Sequence, residues 1–315
     1  MTAMYTCKRV ARSQTVSLRH LRYHVLVWGD MPCDEALAPL VLVHGWMDVA
    51  ASYQFMVDAF SDAFMRGRRV IAPDWRGFGQ TETGGADHYW FPDYLADLDF
   101  LLDHFVGAQP VDLVGHSMGG NIAMLYAGVR PERIRHLVNL EGFGMPATRP
   151  EQAPLRYGKW MDDLKALHRG ELALRPYDSL DGVALRLMKT NPRLSADKAH
   201  WLAQHWSAPT VQSDGSTQWK VLGDPAHKIV NAQLYRVDEV QAAWQRISAP
   251  VLALEASTSS MAQWYQDKYT LDQYHERLKV VAQCQIAVIE DAGHMLHHDQ
   301  PQLLAALLEA FLAGG

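Results

Sequence analysis

Three residues set far apart in this 315-residue chain have the types that acyl transfer needs: a serine, a histidine and a carboxylate. Ser117 lies in Gly115-His116-Ser117-Met118-Gly119, a G-x-S-x-G run between the apolar "VDLV" and the helical pattern "NIAML". A serine on such a strand-to-helix turn is held out on strained backbone, and flanking glycines leave room where a Cβ would clash. The following helix points its amino end at the site and favours negative charge there. A helix cap beside a packing glycine is the plain alternative; the apolar run before and the helical run after weigh against it. His294 closes the last apolar run, "QIAVIEDAGH", in a glycine-containing loop from which it can reach Ser117 as general base and then general acid.

A tetrahedral intermediate also needs donors aimed at its oxyanion. The N–H of Met118, directly after the serine, is one expected donor. The N–H of Trp46 is the other, since His44-Gly45 lets the chain turn sharply and leaves it pointing inward. The Trp46 side chain then walls a substrate pocket, with His116 and Trp160 as further expected lining residues. Asp48 either lines that pocket or braces its loop. His297 and His298 form an H-x-x-H-H run with His294, but it lacks the i, i+4 helical pairing and supporting carboxylate of zinc sites. They are read as the first turn of a terminal helix with Asp299-Gln300-Pro301, and Asp291 as a tie within its own loop. No metal and no organic cofactor is expected.

The elements that must position these residues are short apolar runs bounded by turn residues: 39–45, 69–74, 110–116, 134–142, 250–256 and 285–294. Near-continuous Val/Leu/Ile runs of this length fit strands buried on both faces of a parallel sheet, and helical patterns such as "YWFPDYLADLDFLLDHF" lie between them. The alternation implies a doubly wound α/β fold. The opening "QTVSLRHLRYHVLVWGD" alternates more and suggests an antiparallel hairpin at the sheet edge. From 145 to 229 the pattern is helical throughout, holding Trp160, Trp201, Trp206 and Trp219 of the ten tryptophans. That divides the chain into a first core part (1–144), a helical cap or lid insertion (145–229) and a second core part (230–315). Insertions of this length over the carboxyl ends of a sheet usually serve binding rather than stability alone.

Composition narrows the partners. With 48% hydrophobic residues the chain can bury a sizeable core, and a net charge of −6 without a dense Lys/Arg block argues against nucleic acid or an anionic membrane. Three widely spaced cysteines indicate neither a disulfide framework nor a metal knuckle. The opening "MTAMYTCKRVARSQ" has no apolar stretch of signal-peptide length, and no run elsewhere would span a bilayer. The expectation is a cytoplasmic protein acting on a small molecule, with oligomeric state unspecified.

Taken together, HGW, "APDWRGFGQTETG", GHSMGG and "DAGH" resemble the α/β-hydrolase superfamily over essentially the whole length, and "NPRLS", "DPAHK" and "WQRISAP" are similar to its serine-hydrolase-like, esterase branch. One departure stands out. After "PVLALEA", where such enzymes usually place an aspartate, this chain has Thr258 and Ser259. The resemblance offers a second location: some haloalkane dehalogenases carry a glutamate at the end of the strand after the elbow helix. Here "LVNLEGFGMP" puts Glu141 twenty-four residues beyond Ser117 (141 − 117). The mechanism asks only for a carboxylate at the histidine Nδ1, whichever strand presents it. Glu141 is therefore the expected acid; the alternatives are that Glu141 only caps the entry to the insertion, with Glu255 serving instead or with no functioning acid.

The implied activity is a serine hydrolase of carboxylic esters, working through a Ser117–His294–Glu141 triad and an acyl-enzyme on small, largely apolar substrates. Thioesters, lactones, amides and carbon–carbon bonds need the same residues. Dehalogenase and epoxide hydrolase chemistry is excluded, because both require an aspartate at the elbow. Two rivals share the fold: a cofactor-free dioxygenase, against which the regular GHSMGG elbow speaks, and a small-molecule receptor, against which a complete triad speaks.

Overall fold

The structure is a computed structural model that describes residues 4–29, 33–259 and 261–314. Among the described residues ten strands form: β1 (Arg12–Leu18), β2 (Leu21–Trp28), β3 (Leu40–Val43), β4 (Val70–Pro73), β5 (Val111–His116), β6 (Ile134–Leu140), β7 (Ser207–Val211), β8 (Thr217–Val221), β9 (Val251–Ala256) and β10 (Cys284–Ile289). Eight of them make one sheet in the order β1-β2-β4-β3-β5-β6-β9-β10. The β1–β2 and β2–β4 pairs are antiparallel, and from β4 to β10 every pair is parallel. The amino-terminal hairpin thus lies at the sheet edge, as its alternating pattern implies.

Alternate residues of the central strands feed two apolar layers. On β5, Leu113 faces a layer with Leu98, Leu101, Ile122 and Tyr126, from the helices Phe91–Val106 and Met118–Val129. Its neighbour Val114 faces the opposite layer with Phe55, Met56, Leu304 and Leu308, from the helices Gln54–Ala59 and Pro301–Ala313. β10 departs from the expected double burial. It is the outer strand, and Ile286 and Val288 are 43% and 50% exposed, because no further strand covers that edge.

Between β6 and β9 the chain leaves the sheet and forms the helices Ala153–His168, Leu180–Thr190 and Ala196–Trp206. Where the sequence pattern implies helices alone, the insertion also holds the antiparallel β7–β8 hairpin. Pro209 inside β7 and the half-exposed pattern of both strands conceal it from a search for buried runs. The insertion is fastened to the core at several points. Trp206 Nε1 donates to the Met47 carbonyl at 3.0 Å, Gly79 N to the Leu222 carbonyl at 2.9 Å, and Asp224 N to the Gly77 carbonyl at 2.9 Å. The His227 ring is stacked between Phe78 and Tyr89, 3.7 Å from each. Among the described residues, no helix is long and apolar enough to cross a membrane.

After β3 the chain runs outward to β4 and then returns to β5 on the other side of β3. The carboxyl ends of β3 and β5 therefore flank the crevice where such sheets bind ligands. The loop 44–48 follows β3 and Ser117 follows β5, with Glu141 just beyond the end of β6.

Candidate active site

Ser117 has φ 53° and ψ −115°, backbone that a side chain tolerates only under constraint. Its N–H donates to the Leu140 carbonyl at 2.8 Å and its carbonyl accepts from Asn121 N at 3.0 Å, which pins the turn on both sides. The neighbouring glycines serve close approach rather than unusual dihedrals. A Cβ on Gly119 would lie 2.1 Å from the Val43 carbonyl oxygen, and one on Gly115 would lie 2.3 Å from the Gly119 carbonyl oxygen. Only hydrogen at both positions lets the helix Met118–Val129 press its first turn against β3 and β5. Met118 is the first residue of that helix, so its N–H lacks an intrahelical acceptor.

Glu141 follows the end of β6 with φ 55°, and its side chain is fully buried. Its N–H donates to the Leu254 carbonyl at 3.0 Å, and its Oε1 accepts from Ala256 N at 2.8 Å. Backbone and carboxylate are thus both moored to β9. The second oxygen, Oε2, accepts from His294 Nδ1 at 3.3 Å. A proton held on Nδ1 leaves Nε2 with the lone pair a general base requires. Burial pushes the His294 imidazole down to about 3, so the ring is neutral and able to accept a proton at neutral pH. The adjacent carboxylate favours the charged ring that forms on protonation. Among the described residues no hydrogen bond joins the Ser117 hydroxyl to His294; such contacts commonly tighten only when substrate is bound.

The other expected acid, Glu255, is engaged elsewhere: its Oε1 accepts from His275 Nε2 at 2.6 Å. In the loop after β9, Thr258 N donates to the Ala292 carbonyl at 3.0 Å and Ser259 Oγ accepts from Met261 N at 3.3 Å, so both residues are used to shape the loop. Asp291 also works locally, where its carbonyl accepts from Gln300 Nε2 at 3.1 Å.

The loop after β3 is set by His44. Its Nε2 accepts from Trp75 N at 2.8 Å, which places the ring proton on Nδ1, the donor to the Gly45 carbonyl at 2.7 Å. Burial holds this imidazole at about 4. Among the described residues the Trp46 N–H donates to no carbonyl or side chain, and its indole is 52% exposed with Nε1 donating to the His227 carbonyl at 3.3 Å.

Two expected pocket residues sit differently. His116 is a correction: its ring is buried and turned inward, with Nε2 donating to the His294 carbonyl at 2.8 Å and the ring packed on His297 at 4.6 Å. Trp160 is half-buried in the insertion and packs edge-on to His88 at 6.0 Å. Sequence reasoning missed Trp264, whose indole meets the His294 ring at 4.1 Å and 85°. An aromatic residue on the short helix Met261–Tyr265, just after the loop that lacks the usual aspartate, is the only signal that would have drawn attention to it.

Residues 38–301 match the family model described as alpha/beta hydrolase fold. Over 308 residues the chain is 26% identical to the Mus musculus protein named sn-1-specific diacylglycerol lipase ABHD11, covering 96% of this chain and 90% of that protein. It is 24% identical over 292 residues to the Danio rerio serine hydrolase-like protein, covering 91% of this chain and 83% of that one. Among solved structures, hypothetical protein PA1622 from Pseudomonas aeruginosa PAO1 superposes with a TM-score of 0.78 at 23% identity, covering 96% of this chain and 99% of that one.

Proposed function

Because this chain belongs to the alpha/beta hydrolase fold family, and the mouse and Danio rerio relatives that match it over most of their length are named a lipase and a serine hydrolase-like protein, we propose that it is a serine hydrolase of carboxylic esters with Ser117, His294 and Glu141 as its triad. The observation that carries this reading is the 3.3 Å contact between Glu141 Oε2 and His294 Nδ1, made across β9 to a carboxylate fixed from two other directions. His294 Nε2 takes the Ser117 proton as Oγ attacks the acyl carbon. The N–H groups of Trp46 and Met118 hold the oxyanion. Glu141 keeps the imidazole in the productive tautomer and stabilises its charged form. His294 then protonates the leaving alcohol, and a water activated by the same ring releases the acid and regenerates Ser117.

Substrates with an apolar acyl or alcohol part fit the surface on offer. Trp46 and Trp264 are 52% and 46% exposed, and Met145 is 44% exposed where Tyr265, next to Trp264, reaches its sulfur. The name of the mouse relative, a diacylglycerol lipase, points the same way. Hydrolysis of p-nitrophenyl esters of rising acyl length, by wild type and by Ser117→Ala, tests the reading. Wild type should turn over and Ser117→Ala should lose at least about 10⁴-fold in kcat. Turnover that survives the substitution removes the serine mechanism.

A further inference from the structure

Next to the elbow, polar side chains from three separate segments meet in the interior. Asp48 comes from the loop after β3, with Ser52 just beyond it; His116 ends β5; His297 and His298 lie on the short helix Leu296–Asp299. All five are buried, none more than 6% exposed. A hydrogen-bond inventory of this cluster runs short of donors. The His294 carbonyl can only accept, so His116 Nε2 carries the proton and Nδ1 is a bare lone pair. Ser52 Oγ lies 3.0 Å from His297 Nε2 and 2.6 Å from His298 Nε2, and approaches the Asp48 carboxylate as well, with one proton to give. His297 Nε2–H donating to Ser52, and Ser52 to His298, leaves His297 Nδ1 as a second lone pair. Among the described residues His116 Nδ1, His297 Nδ1 and Asp48 Oδ2 are buried without a hydrogen-bond partner, as is His298 Nδ1, which carries the ring proton in this assignment.

One ligand atom from each of Asp48, His116 and His297 lies within 4.8 Å of the other two. Lone pairs that outnumber the donors in a dry interior call for a positive centre. We infer that Asp48, His116 and His297 bind a divalent transition-metal ion of the zinc or cobalt kind in the interior beside the elbow. Two imidazoles and a carboxylate are a donor set such ions favour. The outer hydrogen bonds suit it too: His116 gives its distal N–H to the His294 carbonyl, and His297, if it ligates through Nδ1, gives its Nε2–H to Ser52. Bonds of about 2.1 Å in tetrahedral geometry set ligands roughly 3.4 Å apart, so occupancy draws the three inward by about an ångström. The H-x-x-H-H run is therefore not the ligand set. One of its histidines is recruited by residues 249 and 181 positions away (297 − 48 and 297 − 116).

The ligands stand on the three segments that carry Trp46, Ser117 and His294, so the ion acts as a structural tie between them. The test is titration of chelator-stripped protein with Co²⁺, read by visible absorption, and with Zn²⁺, read by equilibrium dialysis and thermal midpoint. Wild type should take up about one equivalent with a rise in midpoint and the absorption of a low-symmetry Co²⁺ centre. Asp48→Asn and His297→Gln, shown to be folded by circular dichroism, should each bind at least about 100-fold more weakly. Ser117→Ala, which keeps all three ligands, should bind like wild type. Wild type that takes up no ion overturns the inference whatever the variants do, as does binding that both folded variants retain.

Discussion

Glu141 divides its work between two oxygens, one holding β9 through Ala256 N and one facing the imidazole. A glutamine there can still accept from Ala256 through its carbonyl, but its amide then presents N–H to Nδ1 and forces the opposite tautomer. Glu141→Gln is therefore expected to lower kcat by about 10²- to 10⁴-fold while the thermal midpoint moves little; unimpaired turnover would reject Glu141 as the acid. Trp264 acts through His294 and not on the reacting atoms. Its π-system beside a ring that becomes cationic in the transition state contributes about 0.5–2 kcal/mol. Trp264→Ala should thus cost about 2- to 30-fold in kcat, and Trp264→Phe should restore most of it; equal losses in both variants would assign the indole a different role. The contact between Glu141 and His294 is within reach of sequence reasoning, because the resemblance to some haloalkane dehalogenases directs attention to a carboxylate at the end of the strand after the elbow helix. The inward turn of His116 and the approach of Trp264 are not, since both depend on how distant loops settle on one another.

At the level of elements, the run of glycines around Ser117 is a packing requirement. Gly119→Ala would push a methyl group into the Val43 carbonyl, where backbone stands on both sides and no rotamer offers escape. The helix Met118–Val129 must then withdraw from the sheet, at a cost of about 3 kcal/mol, the upper end of the usual overpacking range. A urea midpoint close to that of wild type would show that the contact is softer than its geometry implies. Strands buried on both faces announce themselves by composition, so β3, β5, β6 and β9 are legible within a residue or two. The β7–β8 hairpin escapes, because its stability comes from the insertion's own contacts, such as Trp219 paired with Tyr177, and not from a continuous apolar run.

For the molecule as a whole, several interior histidines are kept neutral, and that sets its response to acid. Burial holds His44 at about 4 and His227 at about 3, against about 6.5 in an unfolded chain. Below pH 6.5 the unfolded state binds protons that the folded state refuses, so stability is full above that value and is lost as pH falls toward 4. His44 alone accounts for up to roughly 3 kcal/mol. The thermal midpoint should hold steady from pH 8 to 7 and then drop between 6 and 4; a midpoint flat to pH 4.5 would contradict these assignments. His227 also clasps the insertion to the core between Phe78 and Tyr89, so the same acidification should weaken the hold of the cover as well. The placement of the carboxylate at the end of β6 has a last consequence. A loop ordinarily bound to supply the acid is here released from that duty, and its exposed residues Ala262 and Gln263 are at liberty to diverge. Changes there would retune which molecules are admitted while the proton-handling groups stay as they are.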